Sequence, residues 1–158
     1  MCLVSPVSPL PHKSGMIAFV MAVAFGWILT TNAAAFCFEE AGDAYGIAPV
    51  LLWSIAKEES SFNPSAINRN SNGTYDYGVM QINSSWHKTL GAKTWSRLSD
   101  PCTNVHVGAW ILAQCIQRHG NTWDAIGCYN SGNPVKRTAY ARRIYGQLKR
   151  IGYGQSWR

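Results

Sequence analysis

The sequence predicts a mainly α-helical domain with one small β ribbon, and three observations carry that expectation. Prolines stand at the first position of three apolar-periodic runs, at Pro49, Pro101 and Pro134, where the missing N–H would have no helical partner anyway. Between the first two runs lies a polar segment, residues 68–77, centred on Asn72-Gly73, a pair that supplies the positive φ angles of a tight turn. Setting aside an N-terminal leader leaves residues 36–158, a length that suits one compact domain.

The leader is read from its own pattern. Lys13 gives a positive flank, Met16 to Leu29 is almost wholly apolar, and Ala33-Ala34-Ala35 offers a small-residue cleavage site before Phe36. The apolar run falls short of the roughly 20 residues that a comfortable membrane span requires. Residues 1–35 therefore read as a signal peptide cleaved near Ala35, and the mature chain as exported without a stable membrane anchor. An uncleaved anchor is the competing reading. The bulky Phe36 argues against lipid attachment at Cys37.

In the mature chain, residues 37–45 read as a short helix stopped by Gly46, and Pro49 opens a helix that ends near Glu59. Residues 87–99 show no clear period and read as loop. Asp100-Pro101 caps and opens an amphipathic helix with Val105, Ala109, Leu112, Cys115 and Ile116 on its apolar face, ended by Gly120. Thr122 opens a short helix through Tyr129, broken at Asn130-Ser131-Gly132. Asn133-Pro134 begins the last helix, with Tyr140, Ile144, Leu148 and Ile151 inward.

Four cysteines fall in the mature chain: Cys37, Cys102, Cys115 and Cys128. An even count in an exported domain favours disulfides. Four cysteines allow three pairings, and the residues by themselves leave all three open. The preferred scheme joins Cys37 to Cys102 and Cys115 to Cys128, the second closing a short loop between two helices. No Cys-x-x-Cys or His-Glu-x-x-His spacing occurs and His87, His106 and His119 are scattered, so neither metal nor other cofactor is expected.

Charge is uneven. The whole chain carries 14 Lys plus Arg against 8 Asp plus Glu, and no acidic residue follows Asp124. Lys136, Arg137, Arg142, Arg143, Lys149, Arg150 and Arg158 make the C-terminal segment basic, which favours anionic polymers by long-range attraction. Acidic wall peptides satisfy that description as well as nucleic acid does. A nucleic-acid binder is disfavoured because it leaves the export signal unexplained.

Of two adjacent carboxylates, helical phase selects one. Leu52, Ile55, Ala56 and Glu59 project onto one face, while Ser54 and Glu58 project toward the other. Glu59, half-buried at a helix C-terminus, should have its pKa raised by desolvation and by the helix dipole, as a general acid requires.

Three motifs follow in order: Glu59-Ser60-Ser61-Phe62-Asn63-Pro64, Gly78-Val79-Met80-Gln81 and Tyr129-Asn130-Ser131-Gly132. Together they resemble the lysozyme-like lytic transglycosylases. The resemblance covers nearly all of the mature chain and is strongest to small exported enzymes associated with type III secretion, type IV secretion and conjugative pili. It implies a goose-lysozyme-like α fold with a small β ribbon, peptidoglycan glycan strands as substrate, the periplasm as location, and components of a secretion or conjugation apparatus as partners. By position it implies Glu59 as the single acid/base, Ser60 as its polar neighbour in the cleft and Gln81 as a sugar contact. Tyr129 and Asn130 would face Glu59 from the opposite wall, and Tyr140 would be a lining residue. One departure is Cys128, where the family usually has Ala; Cys115 also stands where another residue is expected, and the two together support a local disulfide.

The implied reaction uses Glu59 to protonate the glycosidic oxygen between N-acetylmuramic acid and N-acetylglucosamine. The resulting carboxylate takes the proton of the muramic C6 hydroxyl, which attacks its own C1 to give a 1,6-anhydro sugar. Asp76 complicates this, because residues 68–78 also resemble the ribbon of c-type lysozyme, where a carboxylate at the matching place assists hydrolysis; lysozyme is the standard example of that two-carboxylate mechanism. Hydrolysis by Glu59 and Asp76 is thus one alternative, and Asp76 as a ribbon hydrogen-bonding group is another. A third is a wall-binding assembly protein that holds glycan without cutting it.

Overall fold

The computed structural model describes residues 36–153, so the leader and its cleavage site, along with Arg158, lie outside the described residues. Among the described residues, six α-helices and three short strands run in the order α1 (Phe38–Tyr45), α2 (Pro49–Ser60), β1 (Ile67–Arg69), β2 (Tyr75–Tyr77), β3 (Ile82–Asn83), α3 (His87–Trp95), α4 (Pro101–His119), α5 (Trp123–Asn130) and α6 (Pro134–Arg150). The starts follow local chemistry. Asp100 accepts a hydrogen bond from Thr103 N at the head of α4, Thr122 from Ala125 N at α5, and Asn133 from Val135 N and Lys136 N at α6.

α4 is the central rod. It packs against α1, α2, α5 and β3, and its fully buried Val105, Ala109 and Leu112 belong to one core with Leu52, Ile55 and Ala56 of α2, Val79 and Met80 of the turn after β2, and Ile144 and Leu148 of α6. The strands form one antiparallel sheet in the order β1-β2-β3, with Ile67 opposite Tyr77 and Asp76 opposite Asn83. β3 adds a strand to the two of the expected ribbon. Both preferred disulfides are formed: Cys37–Cys102 ties the start of the domain to the head of α4, and Cys115–Cys128 ties α4 to α5.

Three expectations need correction. Residues 87–95, read as loop, are helical; Gly91 breaks them with φ 75°, and none of these side chains is buried, so no apolar period could form. Ile151, expected inward, is 49% exposed because α6 stops at Arg150 and the chain leaves the helical path there. Ser54, projected away from the core, is fully buried, its hydroxyl satisfied by donating to Val50 O at 2.8 Å.

Candidate active site

A cleft of about 950 Å³ separates the ribbon from the α5–α6 corner. Glu59 enters it from the end of α2. Asn68, Asn70, Asp76, Gln81 and Asn83 line one wall, and Tyr129, Asn130, Gly132 and Lys136 the other. Five of the seven residues singled out from sequence therefore meet here: Glu59, Asp76, Gln81, Tyr129 and Asn130.

Glu59 is half-buried, and its carboxyl is pushed up from an ordinary value of 4.5 to about 7. Burial is the largest cause, and the charges of Glu58 and Asp76 add to it. The hydrogen bond from Tyr140 and the charge of Arg143 act the other way. The Tyr140 hydroxyl donates to Glu59 Oε1 at 2.6 Å. With Oε1 so engaged, Oε2 is the oxygen left to carry the acidic proton.

Tyr140 is thus not a lining residue. It is buried behind Glu59, and burial together with the neighbouring Glu59 charge raises its phenol well above the usual range, so it stays a donor. Ser60 is also placed differently from its expected role. Its hydroxyl donates to Val79 O at 2.8 Å, and it does not line the cleft. Tyr129 lines the cleft, yet its hydroxyl donates to Met80 O at 2.7 Å. The first and third motifs therefore bond to consecutive carbonyls of the second.

That middle turn is held from below as well. The buried Asn104 side chain accepts from Met80 N at 2.8 Å and donates to Tyr77 O and Leu98 O at 3.1 Å each. Gly78, at φ 81°, packs so tightly on Asn104 that an added Cβ would come within 2.2 Å of the amide nitrogen. Gln81 lies in the left-handed region at φ 48°, and its Nε2 donates to Gly78 O and Ala66 O. Its Oε1 remains the atom suited to a sugar hydroxyl.

Asp76 is held by three amides. Asn83 Nδ2 donates to its Oδ1 at 2.6 Å, and Asn70 and Asn68 donate to Oδ2 at 2.9 and 3.5 Å. Reading the sequence missed Asn83 because the two-residue β3 is too short to show a pattern. It also missed Glu58, which is not a solvated charge: it is 22% exposed and bonded to Arg143 and Gln147 of α6. Its partners lie more than eighty residues on in the chain.

The described side chains include one cluster with metal-ligand geometry, Cys37, Glu40 and Cys102. Its two sulfurs are joined to each other, which removes the thiolates a metal would need.

A helical domain with a ribbon-walled cleft lined by a carboxyl of raised pKa is the lysozyme-like class of architecture. The chain belongs to the transglycosylase SLT domain family, whose model matches residues 36–147. It is 42% identical over 122 residues to Protein IpgF of Shigella flexneri, covering 73% of this chain and 80% of that protein. It is 38% identical over 134 residues to Invasion protein IagB of Salmonella typhimurium, covering 79% and 83%. An X polypeptide of Escherichia coli is 34% identical over 139 residues, 82% of each chain.

Proposed function

We propose that this chain is a peptidoglycan lytic transglycosylase in which Glu59 is the single acid/base. The observation that carries the reading is the contrast between the two carboxyls of the cleft. Glu59 keeps a proton up to about pH 7, whereas Asp76 has both oxygens occupied by asparagine amides. Glu59 Oε2 gives its proton to the oxygen between N-acetylmuramic acid and N-acetylglucosamine while positive charge develops at muramic C1. The carboxylate formed then accepts the proton of the C6 hydroxyl as O6 closes on C1. The leaving sugar departs with the first proton, the enzyme regains the second, and no water is consumed. Internal attack is favoured by effective concentration, and Gln81 and Asn130 offer neutral polar groups to the polarised sugar.

The second reading is hydrolysis with Asp76 in the catalytic pair, favoured by its place in the same cleft. Mass spectrometry of muropeptides released from purified peptidoglycan separates the two. Products ending in 1,6-anhydromuramic acid support transglycosylation, and products heavier by one water with reducing ends overturn it. If neither is released, a glycan-holding assembly protein is the remaining reading.

The two disulfides suit an oxidising compartment such as the periplasm, and among the described residues no helix is long and apolar enough to cross a membrane. The resemblance of the three motifs to small secretion- and conjugation-associated enzymes supports local wall opening for such an apparatus, and similarity to a protein named for invasion is in keeping with it.

A further inference from the structure

α6 presents one stripe of three side chains, Tyr140, Arg143 and Gln147, to two consecutive carboxyls of α2. The spacing places them one turn apart on a single face. Arg143 Nε donates to Glu58 Oε1, and Gln147 Nε2 donates to Glu58 Oε2 at 2.8 Å. The guanidinium carbon of Arg143 also lies 5.3 Å from the centre of the Tyr140 ring. Tyr140 in turn reaches Glu59 at 2.6 Å. None of Glu58, Tyr140, Arg143 or Gln147 lines the cleft. The grip falls on the last turn of α2, just before the chain enters the left-handed region at Ser61 and Phe62.

We propose that Glu58, Arg143 and Gln147 are positioning residues for the acid, holding the Tyr140 phenol on Glu59 Oε1 and setting an opposed pair of charges beside it. The proposal rests on the reading of Glu59 as the acid. Arg143 covers one face of the Tyr140 ring, and Glu58 holds Arg143 in that place. Because Glu58 and Glu59 point in different directions from one helical turn, gripping both limits rotation of that turn.

The charged and titratable groups around Glu59 are Glu58 on its own helix, Asp76 on β2, Tyr129 on α5, and Tyr140 and Arg143 on α6. Glu58 and Arg143 act on Glu59 with opposite sign. Removing one of them should therefore move Glu59 in the direction set by the survivor.

The test is the pH profile of muropeptide release by Glu58→Gln, Arg143→Gln, the double variant and Arg143→Lys, each checked for folding by near-UV circular dichroism. We expect the alkaline limb to move to lower pH in Glu58→Gln, where Arg143 is left unopposed, and to higher pH in Arg143→Gln. The double variant should return close to the parent limb. Arg143→Lys keeps the charge but loses the planar stacking on Tyr140, so its limb should move upward less than in Arg143→Gln while kcat falls with KM unchanged.

Equal losses with unmoved limbs in both single variants would overturn the proposal and leave the cluster a mere packing contact. Titration of Glu59 by carbon NMR of glutamate-labelled protein reads the same opposed shifts without turnover. A parent protein that cuts no glycan, yet shows those shifts in its variants, would sink the proposed function and leave the brace standing. Unmoved NMR midpoints in an active parent would do the reverse.

Discussion

At the scale of single residues, the proposed chemistry turns on one proton. Glu59 binds it more tightly folded than unfolded, so the folded state loses stability as pH rises from about 4.5 through about 7. Glu59→Gln should abolish glycan cleavage and yet stabilise the fold at pH 8 by roughly 3 kcal/mol, the gain vanishing below pH 4.5. Urea unfolding at the two pH values checks this; equal stability at pH 8 would mean that Glu59 is not desolvated. Tyr140→Phe removes a bond that favours the carboxylate, so the alkaline limb of activity should move upward while the rate falls. Asp76→Asn leaves a group that can still be held by its neighbours. The variant should keep releasing anhydro products at a reduced rate, and a complete loss would put Asp76 into the catalytic pair.

At the scale of elements, the turn between β2 and β3 depends on α4. Asn104 is fully buried and satisfies three backbone groups, so Asn104→Ala should cost about 3 kcal/mol and lower activity, although this side chain does not line the cleft. Gly78→Ala meets both a positive φ and the Asn104 amide, and should be worse for the turn. Thermal melting together with product release distinguishes a displaced turn from an unfolded domain. Helix starts at Pro49, Pro101 and Pro134 were readable from the chain because a first-turn proline, joined at the last two by a capping side chain, acts within one turn. β3 and α3 were not, because a two-residue strand and an exposed, glycine-broken helix carry no periodic burial.

At the scale of the whole molecule, two disulfides close the helical frame around α4. Replacing Cys115 and Cys128 together by Ala should lower stability by about 2–4 kcal/mol. It should also reduce activity beyond that loss, since Cys128 directly precedes the Tyr129-Asn130 wall; cleavage assays well below the melting temperature test it. What the sequence determined by itself was the helical class, which of two neighbouring carboxylates faces the cleft with a raised pKa, and the motifs that meet there. Those follow from short-range chemistry, namely caps, apolar phase and residue type. The tertiary structure decided what several of those residues do. Ser60 clasps a carbonyl 19 residues away, Tyr140 stands behind an acid 81 residues away, and Glu58 is gripped across 85. Such roles belong to pairs, and a pair comes into being only when folding brings its two halves within reach.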